Sequence, residues 1–346
     1  MPIFSPGEWS LLQSMGVFTV CAVTIAVVGT RLTRVVDQLA DKSGLGEAIA
    51  GAVLLGAATS LSGIVLSVTA AWKGHPELAM SNALGGIAVQ TLFLAVADLF
   101  YRRANLEHAA ASAPNLLQNA LLISLLALIL LAPSLPDVTI WSVSPVTPVL
   151  FGLYVYGIFL VNSARQTPMW KPSVTYETRS DVPEDNGETP ALPRLVIEFV
   201  VLMAAMGLAG WTLEPAATNI AAKTGLGQTA VGVLLTATST SLPELVTSVA
   251  AVRRGALTLA VGGIIGGNAF DTLFTAASDI AYREGSIYHA VSEATIIWIT
   301  LSLLMASILM MGLIRRQEQG VARIGSESAA IIVLYGLGVA LVLVQR

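Results

Sequence analysis

Cysteine is almost missing from this chain. Among 346 residues there is one, Cys21, inside an apolar run. A disulfide framework and a cysteine-based zinc site are both excluded. The three histidines, His75, His108 and His289, lie apart at the edges of apolar runs, so they form no metal motif. Charge is equally scarce. Asp, Glu, Lys and Arg make up 12% of the residues, against about 25% in a soluble domain. No basic patch and no nucleic-acid motif occurs, which removes nucleic acid as a partner. Met1–Ser10 has no Lys or Arg, unlike the positive start of a cleaved signal peptide, so Leu11–Thr30 is expected to stay as a membrane span. What the chain has is apolar length. It is 55% hydrophobic, with a mean hydropathy of +0.75, and its solvent is the lipid bilayer.

Runs of about 20 apolar residues cross a bilayer as helices. Ten such runs are expected, near 11–30, 48–71, 78–100, 113–132, 143–163, 195–213, 228–252, 257–281, 290–313 and 327–345. The fold class is therefore an all-α integral membrane protein. The one long polar stretch, 163–193, has no helical periodicity and reads as a mobile linker. It separates a first five-helix half, 1–162, from a second, 194–346. Basic residues set the orientation. Of the 18 Lys and Arg, 14 fall in the loops of one side, and only Lys73, Lys223, Arg283 and Arg346 fall on the other. Both termini are expected outside and the linker in the cytoplasm.

The halves repeat each other. Shifted by 181 residues, 42–103 lies over 223–284 without a gap, with 26 of 62 positions identical. Thr59-Ser60-Leu61 falls on Thr240-Ser241-Leu242, Gly85-Gly86 on Gly266-Gly267, and Thr91-Leu92-Phe93 on Thr272-Leu273-Phe274. Five spans separate the copies, an odd number, so they enter the membrane from opposite sides. Such inverted repeats build many secondary transporters, whose sites lie at the midplane where broken helices meet.

One stretch stands out. Thr240-Ser241-Leu242-Pro243-Glu244 places a carboxylate and a helix-breaking proline near the middle of an apolar run. A charge at that depth costs about 3 kcal/mol or more and marks an ion or proton path. Broken backbone there is tolerated where it is buried in protein or lines a wet cavity. No Lys or Arg lies at the depth of Glu244, so the carboxylate must take up a proton or a cation. Asp271 sits one turn past Gly266-Gly267 with no basic neighbour before Arg283. Thr59, Ser60, Thr240 and Ser241 recur in both copies at the break, either as ligands or bonded to the preceding turn. Gln90 is either a ligand or a packing amide. The glycine pairs suit close helix packing, and Asn268 a bond between helices. Asp98 and Asp279 precede Arg102 and Arg283 by four residues, the spacing of a salt bridge on one helix face.

Gly225-Leu226-Gly227 followed by Thr240-Ser241-Leu242-Pro243-Glu244-Leu245-Val246-Thr247-Ser248 resembles the second α-repeat of the cation/Ca2+ exchanger superfamily, which includes the sodium/calcium exchangers. Gly266-Gly267-Asn268-Ala269-Phe270-Asp271 is similar to the element of its partner helix. The resemblance implies an alternating-access cation antiporter, not an enzyme, with no cofactor. Its transported cations would be Ca2+, Na+ or H+. It implies a cluster of Thr59, Ser60, Gln90, Thr240, Ser241, Glu244 and Asp271, with the glycine positions 63, 86 and 267. It also implies that spans 1 and 6 slide to switch access.

The departures from the family pattern are specific. The first-repeat Pro-Glu is Ser62-Gly63 here, its Asn or Asp is Gln90, and the two ligating serines are Gly86 and Gly267. Ca2+ takes six to eight oxygens, and two acids are a thin supply, so one Na+ or one proton fits as well. A monovalent cation/proton antiporter and a carrier of another solute therefore stay open. So do a non-transporting scaffold and an intramembrane hydrolase using Glu244 and Asp271 as acid and base. A monomer is expected, with a homo-oligomer as the alternative.

Overall fold

The computed structural model describes residues 9–43, 56–101, 104–173, 175, 191–318 and 325–344. Most of the linker, and the start of the second expected span, lie outside these. The described chain is helical. In order come α1 (Leu11–Ser43), α2 (Gly56–Thr59), α3 (Leu61–Trp72), α4 (Pro76–Phe100), α5 (Leu106–Ala110), α6 (Ala113–Leu131) and α7 (Val146–Gln166). There follow α8 (Leu192–Thr224), α9 (Gln228–Val231), a π-helical turn (Gly232–Ala237), α10 (Thr238–Thr240), α11 (Leu242–Arg254), α12 (Leu257–Ala281), α13 (Glu293–Arg315) and α14 (Ser326–Val344).

Eight of these helices are long and apolar enough to cross a membrane. The two expected runs missing from that set are the interrupted ones, α2–α3 and α9–α11. α1 and α8 are longer than the runs suggested. Each has 33 residues, or about 50 Å at 1.5 Å per residue, so each must tilt or project beyond a bilayer about 30 Å thick.

The repeat extends into the structure. Both bounds of α8 lie 181 residues beyond those of α1, and both bounds of α12 lie 181 beyond those of α4. α3 and α11 begin 181 residues apart, and each is followed within two residues by a left-handed glycine, Gly74 (φ +76°) and Gly255 (φ +86°), a conformation that suits a residue without Cβ.

α4 and α12 form the centre. They are rich in Gly, Ala, Ser and Thr, which lets backbones approach where lipid offers no hydrophobic drive. A Cβ on Gly85 would lie 2.8 Å from Val233 Cα, and one on Gly232 would lie 2.8 Å from Ser81 Cβ. α1, α7, α8 and α14 form the outside and expose Val20, Val23, Val155, Phe159, Val200, Leu208 and Val333.

α1 and α8 also meet the two breaks. Gly29 of α1 packs on Pro243, where a Cβ would come 2.8 Å from the proline Cβ. Its repeat mate, Gly210 of α8, packs on Ser62, the mate of Pro243, where a Cβ would come 2.9 Å from Ser62 Cα and its carbonyl carbon. Each long helix thus touches the broken helix of the other half.

Asp279 departs from the salt-bridge expectation, while the matching expectation for Asp98 involves Arg102, outside the described residues. Asp279 is fully buried. It accepts from the backbone N–H of Ile287 at 3.0 Å, from that of Ser144 at 2.8 Å and from the Thr147 hydroxyl at 2.6 Å. Arg283 instead donates to the Trp141 carbonyl. Asp98, also buried, accepts from the N–H of Leu106 at 2.7 Å and of Gly325 at 3.1 Å, and bonds Ser328. All three partners of Asp279 are repeat mates of the partners of Asp98. Each aspartate ties the end of its own central helix to the start of the last helix in the opposite half, α14 for Asp98 and α7 for Asp279. Buried backbone donors at helix starts demand acceptors, and this demand outweighs a solvent-facing i,i+4 pair worth a few tenths of a kcal/mol.

Candidate functional site

The two breaks occur at matching serines. Ser60 (φ −80°, ψ −1°) separates α2 from α3, and Ser241 (φ −95°, ψ 5°) separates α10 from α11. In the second copy the cause is local, because Pro243 offers no N–H to the turn before it. In the first copy the mate is Ser62, and the break has no proline. There Gly210 presses against the Ser62 backbone, and Ser60 is drawn across to the other half.

The side chains at these breaks meet one another and the middles of α4 and α12. Ser60 Oγ donates to Asp271 Oδ1 at 2.7 Å, and Gln90 Nε2 donates to Asp271 Oδ2 at 2.7 Å. Gln90 Nε2 also donates to Ser241 Oγ at 3.2 Å. These contacts obey the repeat. Gln90 and Asp271 are mates that bond each other, and the Ser60–Asp271 contact is mirrored by Ser241–Gln90. Thr59 hydrogen-bonds the Glu244 carboxylate. Thr240 lies in the cavity wall, while its hydroxyl donates to the backbone oxygens of Thr236 at 3.0 Å and Ala237 at 3.2 Å.

A cavity of about 10 Å³, measured to the centre of a water-sized sphere, lies among them. That is room for about one water or one bare ion. Ser60, Gln90, Thr240, Ser241, Glu244 and Asp271 line it, with Gly63 and Gly86. Thr59 stands behind Glu244. The residues expected from the sequence are therefore gathered in one place. Ser60, Gln90, Ser241 and Asp271 have side chains facing one another, and Thr240 is held by its own helix. Among the described residues nothing basic lines the cavity.

Two lining residues were not expected from the sequence, Asn82 and Phe274. Asn82 precedes Gly86 and Gln90 by one and two turns of α4, and that i, i+4, i+8 stripe is the signal that could have found it. Phe274 carried none, being one apolar residue among many. It fills the space beside Gly63, where the family pattern has glutamate. A Cβ on Gly63 would lie 2.8 Å from Phe274 Cε2. The glycines at 86 and 267 are different. A Cβ on Gly86 would meet Ser241 Oγ at 3.7 Å and Asp271 Oδ2 at 3.9 Å, and one on Gly267 would meet Gln90 Oε1 at 3.5 Å. Each is an ordinary contact.

Chemically the cavity is a nest of oxygen acceptors. Glu244 Oε2 and Gln90 Oε1 are buried and have no hydrogen-bond partner among the described residues. An orphaned buried acceptor costs about 1–3 kcal/mol, and oxygens of this kind are what a hard cation requires.

Comparison with known proteins places the chain. The family model described as sodium/calcium exchanger protein matches residues 13–164 and 195–344. The chain belongs to the sodium/calcium exchanger family. Among its relatives, the candidate antiporter CaxA of Alkalimonas amylolytica is 27% identical over 239 residues, 68% of this chain and 70% of that protein. An inner membrane protein of Escherichia coli K12, YrbG, is 26% identical over 278 residues, 80% of this chain and 82% of that one. Among solved structures, the sodium-calcium exchanger NCX_Mj, soaked with Na+ and Sr2+, superposes with a TM-score of 0.60 at 18% identity, over 96% of this chain and 99% of that chain. Native YfkE superposes with a TM-score of 0.63 at 15% identity, over 94% and 91%. At those identities the likeness is one of fold. This exchanger-family chain is an integral membrane protein of the ion-antiport class, and inorganic cations are its substrates.

Proposed function

We propose that the chain is a secondary active antiporter exchanging Ca2+ or another cation for Na+ or H+ at one midplane site. The observation that carries this reading is the pairing of Glu244 and Asp271 in a single buried cavity that, among the described residues, has no basic side chain and leaves one Glu244 oxygen without a hydrogen-bond partner. Ser60, Ser241, Gln90, Thr59 and backbone oxygens at the two breaks complete the shell. Thr240 contributes an oxygen lone pair while its proton stays on the helix.

The architecture is ten transmembrane segments, eight continuous and two broken, in two inverted five-helix repeats. The 181-residue coincidence of helix bounds supports it. The basic-residue bias supports termini outside and linker 163–193 in the cytoplasm, and the likeness to an inner membrane protein of Escherichia coli supports residence in the plasma membrane. Access alternates as α1 and α8 move over the breaks, since those helices touch Pro243 and Ser62 through glycines.

A second reading, monovalent cation/proton exchange at the same site, is favoured by the glycine at 63. Among the described residues only two carboxylates line the cavity, and both oxygens of Asp271 already accept hydrogen bonds. Membership of a transporter family speaks for transport over hydrolysis.

Flux in proteoliposomes under imposed Na+, K+ or pH gradients separates these cases. Ca2+ uptake driven by Na+ or H+ supports the first, and Na+ flux tied to a pH gradient without Ca2+ movement supports the second. Glu244→Gln is expected to abolish either. Transport by that variant at the parent's rate would remove Glu244 from the site.

A further inference from the structure

We infer that Asn82 is a cation ligand, its amide oxygen standing in for the carboxylate that the first repeat lacks at Gly63. This rests on the proposed antiport function and adds to it a neutral ligand that helps set which cation the site prefers.

Asn82 is 2% exposed on α4 and lines the same cavity as Glu244 and Asp271. Its Nδ2 donates to the Gly63 carbonyl at 3.2 Å and to Ser67 Oγ at 2.9 Å. A carbonyl only accepts, so the nitrogen must face Gly63 and the oxygen must face away from it. That oxygen, Oδ1, is buried without a partner among the described residues. An amide oriented by two bonds on one side and unsatisfied on the other is a preorganised acceptor. Leaving it unsatisfied costs about 1–3 kcal/mol, and a bound cation removes that cost.

The repeat supplies a second argument. The mate of Asn82 is Gly263, and a Cβ there would meet nothing within 4 Å. The mate of Gly63 is Glu244. One copy therefore has a carboxylate and no amide, while the other has an amide and no carboxylate. Asn82 reaches the site through the backbone of the very residue where the acid is absent. The cavity thus draws a charged oxygen from one half and a neutral oxygen from the other, at positions that are not repeat mates. The site keeps two negative charges while gaining coordination, which suits a single hard cation whose charge is at most two.

The test uses Asn82→Asp, Asn82→Leu and Ser67→Ala in the full chain, with two readouts. One is cation-dependent thermal stability in detergent with NaCl or CaCl2. The other is the KM of flux for Na+ and for Ca2+ in proteoliposomes. Asn82→Asp keeps an oxygen and adds a charge, so its preference for Ca2+ over Na+ should rise about tenfold or more. Asn82→Leu removes the oxygen at similar size, so its KM for the transported cation should rise about tenfold. Ser67→Ala loosens the amide's anchor alone, and should lower the melting temperature without altering the Ca2+ to Na+ ratio. If both Asn82 variants keep the parent's ratio of KM values and differ from it only in melting temperature, Asn82 is a helix clamp and the inference falls, with the antiport reading intact. Should Asn82→Leu fail to fold, the ratio in Asn82→Asp decides alone. A parent chain that responds to no cation in either readout would overturn the antiport reading and this one with it.

Discussion

Gly63 offers a perturbation whose sign distinguishes two physical effects. Placing alanine at a helical glycine ordinarily stabilises by up to about 1 kcal/mol through backbone entropy. At Gly63 the new Cβ would lie 2.8 Å from Phe274 Cε2 and 3.5 Å from its Cζ. The ring has little freedom to yield. Phe274 is buried, its ring packs edge-on against Phe270 at 6.3 Å between centroids, and Phe270 packs likewise against Tyr154 at 6.1 Å. Overpacking of this kind costs about 1–3 kcal/mol, so the clash outweighs the entropy gain. Gly63→Ala is expected to lower the melting temperature in detergent by a few degrees.

Gly63→Glu, which restores the acid of the family pattern, should cost more and give little active protein by itself. Adding Phe274→Ala opens the space. The double variant should be more stable than the two single effects predict, by about 1–3 kcal/mol of coupling. It should also gain stability from CaCl2 over NaCl, because a third carboxylate then faces the cavity. A double-mutant cycle read by thermal unfolding, with and without cation, measures this. If Gly63→Ala is as stable as the parent, and the Glu and Ala substitutions are additive, Phe274 does not occupy the missing acid's place.

Three further outcomes follow from the packing. Gly210→Ala sets a Cβ 2.9 Å from Ser62 Cα and closer still to the Ser62 carbonyl oxygen, a backbone that cannot rotate away, and should remove most transport, whereas Gly207→Ala, 3.9 Å from Leu61 Cδ2, should be tolerated; equal flux from the two would refute the close approach. Asp279→Asn turns an acceptor of three donors into a group that must point N–H at one of them, and should destabilise by about 3 kcal/mol or more, read as a lowered melting temperature that Asp279→Glu does not rescue. Glu107 of α5 lies outside the membrane spans. Burial, and then the neighbouring Asp98 carboxylate, push its acid up to about 7 from an ordinary 4.5. Its protonated form is favoured by the fold, so its contribution is full below about pH 4.5 and lost as pH rises through 7. Glu107→Gln should therefore be more stable than the parent at pH 8, by up to about 3 kcal/mol, and equal to it at pH 4.5. A difference independent of pH would show that the fold leaves the Glu107 acid at its ordinary pKa.

Several features could be read before any fold was known because they depend on neighbours in the chain. Apolar runs announce spans, and the 181-residue identity announces two related halves. Pro243 breaks its own helix by removing an N–H, and Glu244 and Asp271 stand out because acids are costly at that depth. The reading failed where partners are distant in sequence. Asp279 read as the partner of Arg283 at the membrane interface, but the spacing of Asp98 and Asp279 along their helices says nothing about the α14 and α7 N–H groups brought from the opposite half. The extra length of α1 and α8 was missed because hydropathy falls off before the helices do.

The sequence by itself determined that this chain lives in a bilayer, that it is a doubled unit, and which residue types stand at its breaks. All three are properties of composition and order along the chain. The tertiary structure decided how the halves share their contents. It made Gln90 bond its own mate Asp271, bent the first copy at Ser60 without a proline, and turned the Asn82 oxygen away from the Gly63 carbonyl. It also set Phe274 where an acid would stand. Each of these is a matter of which distant surfaces come within a few ångströms, and short-range packing and hydrogen bonding act only once the fold has brought them there.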